Sequence, residues 1–157
     1  MIIMGIDPGT ARIGYGIIEK TGGKLSYSDC GLIMPSGDNL RKRLRSLEIK
    51  LDSLIKKTKP NKAGVEKLFF SKNKKTAMDV AHARGIIINT LEKSGVEIIE
   101  LSPLEVKLGV TGYGNASKKA VSGMVSKILG VSTDNIIDDA TDALAIAITT
   151  AYTKQVE

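Results

Sequence analysis

The sequence predicts an α/β domain built as a five-stranded mixed sheet flanked by helices. Residues 2–7, 13–19 and 25–34 are apolar runs rich in Ile, Leu, Tyr and Gly, separated by the turn signals DPGT and TGGK. Two tight connections in succession join antiparallel strands. From Asp38 to Leu101 helical and extended patterns alternate, as they do where parallel strands are linked through helical crossovers. Beyond Leu101 only helical patterns follow.

Each element has its own signal. Leucines 40, 44, 47, 51 and 54 recur at steps of three and four between Asp38 and Lys57, and Lys56, Lys57 and Pro60 close the segment. That spacing lays one apolar stripe along a helix. NKAGVEKLFF (61–70) reads as a strand, 76–93 as a second helix stopped by Gly95, and VEIIEL (96–101) as the fifth strand. Ser102, Pro103 and Glu105 form an N-cap, a first-turn proline and a carboxylate three residues on, so a short helix starts there. The TGYGNASKK loop (111–119) interrupts it. Helices over about 117–129 and 137–153 complete the order βββαβαβααα, with Val121, Met124, Val125 and Ile128 marking the buried face of the first.

At 157 residues, with 42% hydrophobic and 25% charged residues and no repeat or low-complexity tract, the chain is expected to be a single globular domain spanning 1–157. Cys30 is the sole cysteine, without Cys or His at metal-ligand spacing, so a reducing cytoplasmic setting is expected. The opening apolar run stops at Asp7 and lacks a basic flank, and ALAIAI is far shorter than a membrane span. No targeting segment and no membrane partner are expected. The net charge is +6, with the excess gathered in RKRLR (41–45), KKTK (56–59) and KNKK (72–75). Such clusters suit a polyanion, although charge runs on helices are also ordinary solvated faces.

The acidic residues carry more information. Asp7 ends an apolar strand and is followed by Pro-Gly-Thr; a buried carboxylate there costs several kcal/mol unless a cation or hydrogen-bond donors compensate. Glu66, on the fourth strand, is expected at the same edge of the sheet. In DDATDALAIAI, acids share a helix face in either of two registers, Asp139 with Asp142 or Asp138 with Asp142. Their neighbours Ala140, Ala143, Leu144 and Ala147 suit packing. Asp7, Glu66, Asp139 and Asp142 thus read as one oxygen-rich cluster suited to Mg²⁺ or Mn²⁺, and two such ions assist phosphoryl displacement. Gly9 is expected to let substrate approach the turn closely. Each piece alone is common: Asp-Pro-Gly is an ordinary turn, and D-x-x-D is often solvated.

Together with their surroundings these motifs resemble a known family. GIDPGTARIGYGII, VEKLFFSKNKKTAMDVAHARG, VKLGVTGYGNASKKAV and DDATDALAIAI stand in the order and spacing of the RuvC family, the bacterial Holliday-junction resolvases, from Met1 to about Tyr152. The resemblance implies a ribonuclease-H-like fold and a homodimer that nicks four-way DNA junctions symmetrically with two divalent ions per site, Mg²⁺ or Mn²⁺. It implies in-line attack by water that leaves a 5′-phosphate and a 3′-hydroxyl, and thymine-rich cleavage sites. It also implies a RuvA/RuvB-type branch-migration partner. The family ligands match Asp7, Glu66, Asp139 and Asp142, and the pattern D-x-x-D-A selects Asp139 over Asp138. An aromatic matching Phe69 is placed to stack on an unpaired base. Lys107 and Lys118 match basic positions of the family; Lys72, Lys74, Lys75 and Lys119 are further candidates for phosphate contact.

His82, the single histidine, sits in AHARG, which suggests packing or an interface rather than catalysis. Without a G-x-S-x-G turn a serine hydrolase has little support. Two alternatives remain at this level. An ATP-binding domain of the actin and sugar-kinase type also opens with a strand and Asp-x-Gly-Thr, but needs a second lobe for which the chain has no room. A junction-binding module without catalysis would not need the intact set of carboxylates.

Overall fold

The computed structural model describes residues 1–69 and 74–154. Three antiparallel strands, β1 (Ile2–Asp7), β2 (Ile13–Thr21) and β3 (Lys24–Ile33), are followed by α1 (Leu40–Thr58), β4 (Lys62–Glu66), α2 (Lys74–Lys93) and β5 (Glu97–Leu101). Three helices end the chain: α3 (Pro103–Thr111), α4 (Lys118–Leu129) and α5 (Asp138–Thr150). The sheet order is β3-β2-β1-β4-β5, with β1 parallel to β4 and β4 parallel to β5. The expected element order and the mixed five-stranded sheet are both present.

Differences from expectation fall at element ends. β4 stops at Glu66 rather than continuing through the phenylalanines, although Lys67 N–H still donates to the Leu101 carbonyl at 2.7 Å. α1 begins one residue beyond Asn39, whose side chain accepts from the Lys42 N–H, and Lys59 closes it in the left-handed conformation before Pro60. Asp38 therefore lies outside the helix that its position was expected to open. The Ser102 capping box on α3 is fully formed.

Strand alternation sorts side chains to two faces. On one face Met4, Ile6, Ile13, Ile17, Ala63 and Val65 meet Leu47, Leu51 and Ile55 of α1 and Ala83, Ile87 and Leu91 of α2. On the other, Ile3, Ile18, Leu25, Ile99 and Leu101 meet α3, α4 and α5. Ile3, Gly5 and Asp7 share the α5 side of β1, and Lys62, Gly64 and Glu66 share that side of β4, because the period is two.

α5 occupies the centre of that second layer. Every residue from Ala140 to Thr150 except Asp142 is buried, the pattern of a helix enclosed on all sides. Its buried hydroxyls are satisfied within the helix, Thr150 Oγ1 donating to the Ile146 carbonyl at 2.7 Å and Thr149 Oγ1 to the Ala145 carbonyl at 3.1 Å. The helix backbone lies almost on the sheet. A Cβ at Gly5 would stand 1.9 Å from the Ala143 carbonyl oxygen, and one at Gly14 would stand 2.0 Å from that of Asp139. No side chain fits between these surfaces.

The consequence is a steep difference between glycines. Gly5→Ala forces α5 off the sheet, and overpacking of this kind costs about 3 kcal/mol. Gly123→Ala in α4, where an added Cβ meets nothing within 4 Å, gains about 0.5 to 1 kcal/mol from helix propensity. Urea unfolding of the two variants beside the parent protein checks both signs.

Candidate catalytic site

Asp7 and Glu66 reach one edge of the sheet because β1 and β4 run parallel, with Ile6 paired to Val65 immediately before them. Asp7 is also paired with Gly14 across β1 and β2, and Gly14 is the residue on which the Asp139 carbonyl rests. The close seat of α5 on the sheet thus delivers Asp139 and Asp142, from its first two turns, to the strand ends that carry Asp7 and Glu66.

The electrostatics record this convergence. Burial, reinforced by the charges of Glu66, Asp142 and Asp139, pushes the Asp7 carboxyl up to about 7, and Lys118 opposes the rise. Burial and Asp142 likewise push Glu66 up, against Lys118 and Lys107. Burial also raises Asp142 despite Lys118, whose Nζ donates to Asp142 Oδ2 at 3.3 Å. For Asp142, loss of hydration outweighs a half-exposed ion pair. The charge of Asp142 in turn holds Lys118 above the usual lysine range.

Asp139 is held differently. Arg12 Nε stands 2.5 Å from its Oδ2, yet among the described residues no hydrogen-bond donor is aligned on that solvent-inaccessible oxygen. The contact has the distance of an ion pair without the direction of a good hydrogen bond. A buried carboxylate oxygen lacking an aligned donor, beside a carboxyl raised to about 7, is the signature of a donor set short of positive charge. All-oxygen donors of this type fit a hard divalent cation. In the present side-chain arrangement, no three described His, Cys, Asp or Glu residues converge closely enough to ligate one ion, since Asp139 is turned to Arg12 and Asp142 to Lys118.

Beside the carboxylates lies a cleft of about 350 Å³ lined by Glu66, Lys107, Lys118 and Asp142 with Pro103, Val106 and Val121. Lys118 and Asp142 also border a neighbouring groove of about 490 Å³ that includes Lys119, Lys127 and Asp138. Asp138 opens α5, whose cap residue Ile137 has no capping side chain, so its carboxylate lies at the positive end of the helix dipole. Phe69 is 57% exposed just beyond β4, an uncommon state for phenylalanine. Lys75 is exposed in the first turn of α2. Lys72, like Phe70, lies outside the described residues, and Lys74 enters only as the first residue of α2.

Two arginines were not singled out by sequence reading. Arg12 reaches Asp139, and Arg84 donates its Nε–H to the Glu66 carbonyl at 3.0 Å while pairing with Glu100. Both lie within motifs, TARIG and AHARG, but their partners are distant in the chain. A Cβ at Gly9 would stand 2.2 Å from the Arg12 carbonyl oxygen, so the turn's own backbone already requires glycine there.

The family model described as crossover junction endodeoxyribonuclease RuvC matches residues 3–150. The chain belongs to the RuvC family. It is 45% identical to the crossover junction endodeoxyribonuclease RuvC of Fusobacterium nucleatum over 150 residues, 95% of this chain and 79% of the relative. It is 49% identical to that of Brachyspira hyodysenteriae over 150 residues, 94% of this chain and 92% of the relative. Among solved structures, T. thermophilus RuvC in complex with Holliday junction substrate superposes with a TM-score of 0.89 at 28% identity, covering 97% of this chain and 93% of that one. The fold is ribonuclease-H-like, and the actin-type nucleotide-binding alternative is set aside by this RuvC membership. Among the described residues no helix is long and apolar enough to cross a membrane.

The raised Asp7 carboxyl has a measurable effect on stability. Its unfolded value of 3.8 lies below the folded value of about 7, so its protonated form stabilises the metal-free fold fully below about pH 4. That contribution is lost as pH rises through about 7, a loss on the order of 4 kcal/mol at most. In EDTA, Asp7→Asn is expected to melt several degrees above the parent protein at pH 8 and alongside it at pH 4. Thermal unfolding at the two pH values measures the difference.

Proposed function

We infer that this chain is a structure-selective endodeoxyribonuclease that resolves four-way DNA junctions by paired symmetric nicks, in recombination and repair. The observation that carries the reading is the meeting of Asp7, Glu66, Asp139 and Asp142 at one sheet edge, with Lys107 and Lys118 facing the same cleft. In this reading the four carboxylates hold divalent metal, Mg²⁺ with Mn²⁺ as a substitute. When bound, such ions supply charge that stabilises the attacking and leaving oxygens of a phosphodiester displacement.

The chain's own groups do the rest. Lys107 and Lys118 border the cleft beside Glu66 and Asp142 and hold the phosphate whose bond breaks to give 5′-phosphate and 3′-hydroxyl ends. Phe69, exposed at the mouth of the β4 loop, offers a stacking surface for a base opened at the branch point. Lys75 and Lys119, with Lys72 and Lys74, contact phosphates and contribute affinity without sequence information. Arg84 fixes the backbone of Glu66 through its carbonyl.

Symmetric cleavage needs two sites, and each chain supplies one set of carboxylates, so the active form is a homodimer. Met78, His82, Gly85 and Asn89 form an exposed stripe on α2, spaced four, three and four residues apart on one helix face. This stripe is the proposed interface and gives His82 its role. A RuvA/RuvB-type complex is the proposed branch-migration partner, on the strength of the family resemblance.

Incubation with a synthetic four-way junction, a linear duplex of the same sequence, and Mg²⁺ or EDTA tests the activity. Paired nicks in the junction alone, abolished by EDTA, are the expected result; equal cutting of the duplex overturns the junction reading. Asp7→Asn and Asp139→Asn are expected to bind the junction and leave it uncut, whereas Asp138→Asn keeps cleavage within a fewfold. Essential Asp138 with dispensable Asp139 would move the α5 register by one residue. Light scattering at micromolar concentration is expected to give twice the chain mass, and a monomer with full activity would exclude the α2 interface.

A further inference from the structure

Arg12 belongs to an exposed turn whose backbone is closely packed at both ends. Gly9 packs its backbone against the Arg12 carbonyl, and two residues further on Gly14 packs against the Asp139 carbonyl. The turn is therefore fastened at one end to itself and at the other to the first turn of α5. The Arg12 guanidinium, 55% exposed, lies with Nε 2.5 Å from Asp139 Oδ2. This geometry leaves the oxygen buried without an aligned donor.

A strong structural arginine–carboxylate pair is two-pronged and well directed. Here Nε approaches Oδ2 at 2.5 Å off the line of a hydrogen bond, and no other described donor is aligned on that oxygen. The pair neutralises charge without saturating the carboxylate. It also explains why the four acids, although they sense one another electrostatically, do not converge on one point. Asp139 Oδ2 is paired with Arg12 instead.

We propose that Arg12 is a placeholder cation for the metal site: its guanidinium occupies Asp139 until divalent metal displaces it, and so sets how much metal the protein needs. The inference rests on the metal-site reading above and adds a positioning residue to it. Displacement exchanges one ion pair for another and changes no covalent bond. Free of Asp139, the exposed guanidinium has all its donors available for a DNA phosphate, which would favour exchange when substrate is present.

The competition predicts an effect in the absence of DNA. Removing a partly exposed ion pair that opposes ligation should tighten metal binding roughly three- to tenfold, the range expected for a charged contact of this burial. Mn²⁺ titration of the full chain, with free ion read by electron paramagnetic resonance, measures it directly. Arg12→Ala is expected to bind Mn²⁺ more tightly than the parent protein by that factor. Arg12→Lys, which keeps the charge and lacks the Nε donor, is expected to fall between them.

Unchanged or weaker Mn²⁺ binding in Arg12→Ala overturns the placeholder role. So does an Arg12→Lys variant that binds Mn²⁺ more tightly than Arg12→Ala, because a cation retained at this position would then not oppose ligation. Asp7→Asn separates this inference from its foundation. If Asp7→Asn abolishes Mn²⁺ binding while Arg12→Ala leaves it unchanged, only the placeholder fails. If Asp7→Asn leaves Mn²⁺ binding intact, the metal-site reading fails and the placeholder with it.

Discussion

The contact between the α5 backbone and the sheet is the constraint on which the rest of the structure depends. Helices are ordinarily held off a sheet by the interlocking side chains of both surfaces. Gly5 and Gly14 remove those side chains where Ala143 and Asp139 approach. Alanines 140, 143 and 147 keep the helix side equally thin. With a larger residue at either glycine, Asp139 and Asp142 would be lifted away from Asp7 and Glu66. Packing and chemistry are therefore the same problem in this chain: the separation that buries the core also sets the separation of the carboxylates.

That arrangement stores electrostatic repulsion. Acids drawn to one sheet edge lose hydration and repel one another, and the rise of Asp7 to about 7 comes first from its burial and then from the charges of Glu66, Asp142 and Asp139. The protein offsets only part of it. Lys118 serves Asp142, Lys107 eases Glu66, and Arg12 reaches Asp139 from the β1–β2 turn. Each of these cations is itself substantially exposed or borders a cleft, and in the proposed reading each exchanges its carboxylate for a phosphate. A site neutralised by groups that can leave is suited to binding both metal and a polyanion.

The basic surface has a simpler logic. Lysines on α2, α3 and α4 and the exposed Phe69 lie on elements leading to or bordering the site. Phosphate contacts from such residues provide affinity and orientation, while discrimination of a branched substrate requires geometry. In the proposed dimer, two sites held at a fixed separation by α2 provide that geometry.

The sequence by itself determined the element order, the parallel pairing that brings Asp7 and Glu66 to one edge, and the acidic helix face in DDATD. Those are local or periodic properties: turn chemistry between β1, β2 and β3, leucine spacing in α1, and the capping box at Ser102. Strand ends at β4 were less legible, because Leu68 and Phe69 are apolar whether or not they pair in a ladder. Sequence spacing left Asp138 and Asp139 as alternatives, and the family pattern chose between them; the tertiary structure then put Asp139 against Arg12 and Asp138 over a neighbouring groove. Only the tertiary structure decided what the glycines are for and which cation each acid meets. Gly9, whose smallness sequence alone suggested as room for substrate, also makes room for the Arg12 carbonyl. Arg12 and Asp139 are far apart in the chain, as are Arg84 and Glu66, so no local pattern could pair them. Their meeting follows from seating α5 on the sheet.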